Sequence, residues 1–143
     1  MVKAIGVCNF NREHLEDLSL KAEIQPMINQ IECHVGFQQN ALRQYCQQQQ
    51  IVIQAWRPLA DGHFFDNPII QTLTQKYDKT AAQIMLRFLV QDEMTLLVKS
   101  SSKKRMIENL AIFDFTLDQA DIAQLKTLDS PTGRLSGDPL VFG

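Results

Sequence analysis

The chain has 143 residues, 45% of them hydrophobic, and a formal net charge of −2. That size suits one domain, and the near-neutral charge without a basic tail argues against a general nucleic-acid-binding protein. Since no apolar run approaches the roughly 18 residues that span a bilayer, and "MVKAIGVCNF" lacks the apolar core of a signal peptide, we expect a cytoplasmic protein.

In chain order, apolar runs alternate with amphipathic segments. The apolar and β-branched runs predict strands at 2–9, 27–33, 51–56 and 95–99. Apolar residues spaced three and four apart predict helices at 11–22, 38–50, 67–77, 80–92, 102–113 and 116–129. Four helix starts carry a residue suited to an N-cap, namely Asn11, Asn67 followed by Pro68, Thr80 and Ser102.

Each predicted strand is followed by at least one helix, which predicts a parallel α/β sheet. Four such βα units make half of an eight-stranded (β/α)8 barrel. A small open doubly wound sheet has the same local pattern, so both architectures remain open at this point. No G-x-G-x-x-G motif follows the first strand, so a Rossmann-type dinucleotide turn is not indicated.

The three cysteines, Cys8, Cys33 and Cys46, are odd in number and far apart in the sequence. That pattern is typical of reduced thiols in the cytoplasm and not of a disulfide framework. Together with the three histidines they show no metal-ligand spacing, so no zinc site is predicted.

Functional groups of parallel α/β folds gather at the carboxyl ends of the strands. The predicted strand ends here carry Cys8, Asn9, Gln30, Glu32, Trp56, Arg57, Lys99 and Ser100. Several of these also fit a purely structural role: Asn9 in a turn, Gln30 as a buried amide bonded to backbone, and Trp56 in the core. As a group they favour a ligand, because amides pair with a carboxamide and an indole face stacks on a flat heterocycle.

The segment "TLLVKSSSKKRMIENL" (95–110) places hydroxyls and cations between the fourth strand and the next helix. Such groups, together with the N–H groups of a helix start, suit a phosphate. We expect Lys99 and Arg105 to contact the anion, and Lys103 and Lys104 to face solvent. The sequence therefore predicts an extended site for a phosphorylated nucleotide.

Several blocks at once resemble the C-terminal half of the aldo-keto reductases. They are "IGVCNF", "NQIECH", "AWRPLA", "LVKSSSKKRMIENL" and "FDFTLDQADIAQL", in the family's order, and the tail "RLSGDPLVFG" resembles bacterial NADPH-dependent members. The resemblance covers essentially the whole chain. It implies one partial domain, 1–143, that contains strands five to eight of a TIM (β/α)8 barrel and binds NADPH (NADP).

For the nicotinamide end, the resemblance implies that Asn9 and Gln30 hold the carboxamide. Cys8 stands where the family usually has Ser, and Trp56 where it usually has a stacking Tyr. At the pyrophosphate, Arg57 replaces a frequent Ser, and the loop "PLA", with Leu59 among the cofactor-binding positions, replaces "PLG".

For the adenosine end, the resemblance implies that Lys99, Ser100 and Arg105 grip the 2′-phosphate of NADPH. Ser102 falls where a Ser or Thr commonly assists. Glu108 and Asn109 match the pair that binds the adenine amino group. This basic grip favours NADPH over NADH.

The family's catalytic Asp, Tyr, Lys and His come from the first half of the barrel, so no catalytic residue is predicted here and little activity is expected from this chain alone. Tyr45 and Tyr77 fall inside predicted helices and are interpreted as core or surface residues. His34 is interpreted as a pocket-rim or packing residue.

Two functions remain open. The first is an NADPH-dependent reductase of aldehydes and ketones, present as its C-terminal half. The second is a non-catalytic half-barrel that serves as a nucleotide-binding or structural module. Since half a barrel leaves two sheet edges unpaired and one apolar face uncovered, we expect a homodimer or a complex with a separate N-terminal half-barrel, and neither a nucleic-acid nor a membrane partner.

Overall fold

The structure, a computed structural model, describes residues 2–141, so Met1 and the last two residues of the tail motif "RLSGDPLVFG" lie outside it. The described residues form four strands, a short 3-10 turn and six α-helices. In chain order these are β1 (Gly6–Cys8), α1 (Arg12–Ser19), β2 (Ile28–Glu32), α2 (Asn40–Gln48), β3 (Val52–Trp56), the turn Ala60–Gly62, α3 (Pro68–Tyr77), α4 (Ala81–Gln91), β4 (Thr95–Leu97), α5 (Lys103–Leu110) and α6 (Gln119–Lys126).

The four strands form one parallel sheet in the order β1-β2-β3-β4. Cys8 lies opposite Gln30, Gln30 opposite Gln54, and Gln54 opposite Thr95. A doubly wound sheet reverses its strand order at a switch point, and no reversal occurs here. The sheet is therefore half of a (β/α)8 barrel, and the open doubly wound alternative is wrong.

The helices cover one face of the sheet. Asn29, Ile31, Ile53 and Ala55 point to that face and are buried. They join a core that includes Leu15 of α1, Cys46 of α2 and the buried side chains of α4, which are Ile84, Met85, Phe88 and Leu89. Because side chains alternate along a strand, the residues between them point to the other face.

That second face, the inner face of a barrel, is open among the described residues. Its apolar side chains Ile28, Val52 and Leu97 are 38%, 45% and 50% exposed. The polar side chains of Gln30 and Gln54 lie between them, so the face is less apolar than a packed core. The face is uncovered among the described residues, as expected, but it is only partly apolar because Gln30 and Gln54 lie on it.

The two outer strands, β1 and β4, have no second strand beside them in the range 2–141. An apolar groove of about 630 Å³ lies along β4 and extends onto α5 and the turn after it, where Met106, Leu110 and Phe113 line it. These three side chains are exposed. An unpaired strand beside an apolar groove is a surface that other elements of a barrel would cover.

The predicted helices are right in number and order, but several ends differ from the structure, and four of them (the end of α1, the end of α5 and both ends of α6) differ by three residues. The first helix ends at Ser19 because the residues that follow, such as Leu20 at 85% exposed, have no core to pack against. The fifth ends at Leu110, where the amide of Gln83 binds the carbonyls of Glu108 and Ala111. The sixth starts late because Asp118 caps it, accepting from the N–H of Asp121 at 2.9 Å.

The four predicted N-caps all precede the first residue of a helix. The side chains of Asn67, Thr80 and Ser102 each accept a hydrogen bond from a backbone N–H of the first turn. Within the described residues, no helix is long and apolar enough to cross a membrane.

All three thiols are free, as the sequence pattern predicts. Cys8 is exposed, whereas Cys33 and Cys46 are buried. Burial raises the pKa of Cys33 to about 12, so this thiol stays protonated at neutral pH.

Candidate functional site

The carboxyl ends of β1 and β3 are joined by a hydrogen bond between side chains. Trp56 Nε1 donates to Asn9 Oδ1 at 2.9 Å. Asn9 and Arg57, the residues just after the two strands, both have left-handed backbones, with φ of 58° and 53°. Asn tolerates that conformation better than most residues. Because the indole occupies Oδ1, the Nδ2 of Asn9 is the group left to donate to a ligand.

A row of polar side chains crosses the inner face at the level of Cys8, one residue before Asn9 and two residues before Trp56. Gln30 Nε2 donates to Gln54 Oε1 at 2.5 Å, and the thiol of Cys8 lies 3.7 Å from Gln30 Oε1. Gln30 is half-buried and its partners are side chains. The interpretation of Gln30 as a buried amide bonded to backbone is therefore wrong.

A cavity of about 580 Å³ opens beside this row. It is lined by Cys8, Asn9, Phe10, His14, Trp56, Ser136, Gly137 and Pro139. Trp56 is partly exposed on the inner face, so it is not simply a core residue. The guanidinium of Arg57 lies over its indole ring, 5.4 Å from the ring centre, in a cation–π contact.

A second cavity, of about 420 Å³, lies between the loop after β3 and the start of α5. It is lined by Leu59, Phe65, Thr80, Ala81, Ala82, Lys99, Ser100, Ser101, Arg105, Glu108 and Asn109. Lys99 and Arg105 are exposed there, and neither forms an ion pair with a carboxylate in residues 2–141. Two unpaired cations beside two hydroxyls suit an anion.

The serines of the loop before α5 have distinct roles. The Ser100 hydroxyl donates to the Ser102 carbonyl at 3.2 Å and accepts from the Ser102 N–H at 3.3 Å. Ser102 itself caps α5 by accepting from the N–H of Arg105 at 3.4 Å. It is not among the residues that line the cavity. Lys103 and Lys104 are exposed on α5, and Lys104 lies 3.9 Å from Glu108.

The "RPLA" loop is more constrained than a glycine-containing loop. Arg57 Nε lies 3.4 Å from Asp61 Oδ2, so its charge already has a partner. Ala60 is buried with a φ of 48°, a left-handed conformation that favours glycine. This strain gives a physical reason for the usual glycine of "PLG" at this position.

The segment after α6 returns to the carboxyl edge of the sheet. The N–H of Ser130 donates to the carbonyl of Gly36 at 3.1 Å. A Cβ at Gly133 would lie 1.8 Å from the same oxygen, so a side chain at position 133 would prevent this segment from packing against Gly36. The segment then reaches Glu32, and Ser136 joins the wall of the 580 Å³ cavity.

Glu32 holds that segment in place with a buried carboxylate, 1% exposed. It accepts from the N–H of Leu135 at 2.6 Å, from the N–H of Ser136 at 3.0 Å and from the Ser136 hydroxyl. Burial opposes its ionisation, but the hydrogen bonds from Ser136, Leu135 and His34 outweigh burial and lower the pKa of Glu32.

His34 is the fourth partner of Glu32. Its Nδ1 accepts from the N–H of Gly36 at 3.2 Å, so Nε2 carries the proton and faces Glu32 Oε1 at 3.3 Å. Burial lowers the pKa of His34 more than Glu32 raises it, which keeps the ring neutral at pH 7. His34 packs against Phe37 and Phe64. It is therefore a packing residue and not a pocket-rim residue.

The two tyrosines lie away from both cavities. Tyr45 belongs to α2, and Tyr77 ends α3 with its hydroxyl donating to Asp121 at 2.5 Å. Within residues 2–141, no group of three or more His, Cys, Asp or Glu side chains is arranged to hold a metal ion.

Several lining residues were not predicted from the sequence. Ala81 enters the second cavity because α4 starts beside α5, and Phe65 enters it from the loop before α3. Ser136 enters the first cavity through its bonds to Glu32. The only local signal was the N-cap at Thr80, which marks where α4 begins. For Ser136 the sequence offers no signal.

Comparison with known proteins gives consistent matches over most of the chain. A sequence model described as the Aldo/keto reductase family matches residues 1–130. The chain is 44% identical over 138 residues to the uncharacterized oxidoreductase YtbE of Bacillus subtilis, covering 96% of this chain and 49% of that protein. It is 42% identical over 128 residues to glyoxal reductase of the same organism, covering 90% and 46%.

Solved structures agree with this picture. Gox0644, in a mutant form in complex with NADPH, is 38% identical with a TM-score of 0.94, covering 97% of this chain and 51% of that chain. An aldo-keto reductase from a Medee basin deep-sea metagenome library is 37% identical with a TM-score of 0.91, covering 96% and 52%. The chain thus spans about half the length of the proteins it matches.

Proposed function

This chain belongs to the aldo/keto reductase family, and on that premise we propose that it forms the nucleotide-binding half of an NADPH-dependent reductase of aldehydes and ketones. The observation that carries the proposal is the 420 Å³ cavity, where Lys99, Ser100, Arg105, Glu108 and Asn109 lie together. These five positions come from a strand end, a loop and a helix. Their meeting at one cavity supports a shared ligand.

The adenosine end of NADPH fits this cavity chemically. The cations of Lys99 and Arg105 suit the 2′-phosphate, which NADH lacks. The Ser101 hydroxyl adds a donor, and the Ser100 hydroxyl can donate to the phosphate in place of the Ser102 carbonyl. Glu108 and Asn109 are the groups proposed to bind the adenine amino group. Phe65 supplies an aromatic ring to the same cavity. Ser102 is proposed to act indirectly, by capping α5 and fixing the N–H of Arg105.

The nicotinamide end fits the 580 Å³ cavity. The free Nδ2 of Asn9 suits the carboxamide oxygen. Gln30 does not line the cavity, but its Oε1 lies 3.7 Å from the Cys8 thiol that does, and we propose that it accepts the carboxamide N–H. The partly exposed indole of Trp56 suits stacking on the ring. Trp56 also orients Asn9 through the 2.9 Å bond, a contact that a Tyr in its place would not make in this form.

A reduced nicotinamide supplies a hydride when it is bound, and this chain's residues hold and orient the ring for that transfer. Activation of the carbonyl requires a proton donor near the ring. Tyr45 and Tyr77 lie in helices away from the cavities, so we propose that the donor comes from outside residues 2–141. Relatives named glyoxal reductase and methylglyoxal reductase support small 2-oxoaldehydes as substrates.

The second candidate is a non-catalytic module, and the open inner face favours it. In this case Ile28, Val52 and Leu97 serve as an assembly surface, covered by a second copy of the chain or by a separate half-barrel. Because each of these side chains is already about half buried, covering the rest is worth about 1 kcal/mol apiece, so a lone monomer forfeits about 3 kcal/mol. This candidate requires no bound nucleotide.

Titration with NADPH tests the proposal, because the chain has a single tryptophan and it lies in the nicotinamide-side cavity. We expect NADPH to quench Trp56 fluorescence and NADH to bind more weakly. Absence of quenching together with absence of binding heat contradicts the proposal and favours the structural module. Robust consumption of NADPH with methylglyoxal by this chain alone would contradict the assignment of the proton donor to groups outside it.

A further inference from the structure

The polar row on the inner face contains two residues that the proposed site does not use, Gln54 and Thr95, and of these Gln54 is the one that bonds to Gln30. Gln54 lies in the middle of β3, directly opposite Gln30 in the register of the sheet. Its Oε1 accepts from Gln30 Nε2 at 2.5 Å. It lines neither of the two cavities described above.

A glutamine amide can present either its carbonyl or its amino group to a ligand, and its neighbours decide which. On one side of Gln30, the Cys8 thiol is a weak donor at 3.7 Å. On the other side, the bond to Gln54 is short, and a bond of that length outweighs a sulfur contact. The orientation of the Gln30 amide is therefore set mainly by Gln54.

We infer that Gln54 is a positioning residue for nicotinamide recognition: its side-chain carbonyl holds Gln30 Nε2 and so keeps Gln30 Oε1 on the side of Cys8 and the cavity. This inference rests on the proposed function, because Gln30 then accepts the carboxamide N–H. Without Gln54 the amide is free to turn its amino group to the ligand, where it would face another donor.

Two variants at position 54 distinguish the effect of the hydrogen-bond acceptor from the effect of side-chain size. Gln54→Glu keeps an acceptor for Gln30 Nε2, whereas Gln54→Leu removes it. Thr95→Val is the matched control, because Thr95 is the next residue in the row and its hydroxyl bonds to the Ile53 carbonyl instead of Gln30. All three are made in the full chain.

The first measurement compares binding of NADPH with binding of its 3-acetylpyridine counterpart, in which a methyl replaces the carboxamide amino group. Wild type, Thr95→Val and Gln54→Glu should prefer NADPH. Gln54→Leu should lose about fivefold of that preference, the equivalent of one neutral hydrogen bond. An unchanged preference in Gln54→Leu overturns the inference.

The second measurement needs no nucleotide. In a ¹⁵N–¹H NMR spectrum of the free protein, the two side-chain amide protons of Gln30 should differ clearly in chemical shift in wild type and Gln54→Glu. That difference should become smaller in Gln54→Leu. If Gln54→Leu leaves it unchanged, Gln54 does not position Gln30. Failure of wild type to bind NADPH, with the expected amide shifts, would instead contradict the proposed function alone.

Discussion

The carboxylate of Glu32 is bound by the backbone N–H and the hydroxyl of Ser136, a residue 104 positions further along the chain. These bonds attach the segment after α6 to the end of β2. Because Ser136, Gly137 and Pro139 then line the cavity beside Trp56, a buried carboxylate shapes one wall of the proposed nicotinamide-side cavity. The position of this wall should therefore depend on the negative charge of Glu32.

Replacing Glu32 by Gln should therefore loosen the segment after α6 and lower stability. The amide retains one acceptor oxygen but turns its NH2 group towards two of the four groups that donate to Glu32, so we expect a loss of about 2–3 kcal/mol in the free energy of unfolding. Urea denaturation measures the loss, and hydrogen exchange at Leu135 and Ser136 locates it. The control, Ser136→Ala, removes only the hydroxyl and should cost about 1 kcal/mol. Unchanged exchange at these amides in Glu32→Gln would contradict the role.

The acid dependence of stability should reflect His34 and Glu32. Both have folded-state pKa values below the ordinary 6.5 and 4.5, so in the acid range the unfolded chain binds more protons than the folded chain. Stability should fall as pH drops below about 6.5, where unfolded His34 takes up a proton, and again below about 4.5, where unfolded Glu32 does.

Urea midpoints measured from pH 8 to pH 3 test this, with Glu32→Gln as the comparison. The variant also removes a partner of His34, so the two curves should differ near pH 6.5 as well. Below about pH 4.5 the other carboxylates titrate alike in both proteins, so the difference there reports on Glu32. The variant should show a smaller loss below about pH 4.5. Parallel curves for the two proteins would show that the hydrogen bonds to Glu32 do not stabilise its ionised form.

The parts of the fold that sequence reasoning predicted depend on local physics. A cap such as Ser102 acts within three residues, so it was visible in the sequence. The role of Gln54 was not, because it depends on the register of β2 and β3: a shift of one residue would turn the side chain to the helix face. The bond between Glu32 and Ser136 was not visible either, because it joins residues more than 100 positions apart.

The phosphate grip should distinguish the two nicotinamide nucleotides. Arg105→Ala removes one of two cations from the second cavity, so we expect the dissociation constant for NADPH to rise about 10- to 100-fold and that for NADH to change little. Calorimetry measures both. The control is Lys103→Ala, which removes an exposed cation from the same helix and should leave NADPH binding nearly unchanged. Equal effects of the two variants would indicate only a general electrostatic attraction.

Thiol labelling should report on the nicotinamide-side cavity. Cys8 is exposed and lines the cavity, whereas Cys33 and Cys46 are buried and their pKa values are raised by burial. In the native protein a maleimide should therefore label one thiol of three, and saturating NADPH should slow that labelling at least several-fold. Cys8→Ser, the control, should show no native labelling. Labelling of Cys8 at the same rate with and without bound NADPH would contradict binding of the nicotinamide ring beside Cys8.

The open inner face predicts self-association or a partner. Val52 and Leu97 are about half exposed on that face, so covering the remaining half of each is worth about 1 kcal/mol. Light scattering should therefore show a dimer of this chain or a complex with a second half-barrel. Val52→Glu should weaken association about 10- to 100-fold, because a carboxylate resists burial. Leu20→Glu, at the exposed end of α1, is the matched control and should leave association unchanged. A monodisperse, stably folded monomer of the wild-type chain would contradict the prediction, since the polar side chains of Gln30 and Gln54 would then suffice to keep the face in water.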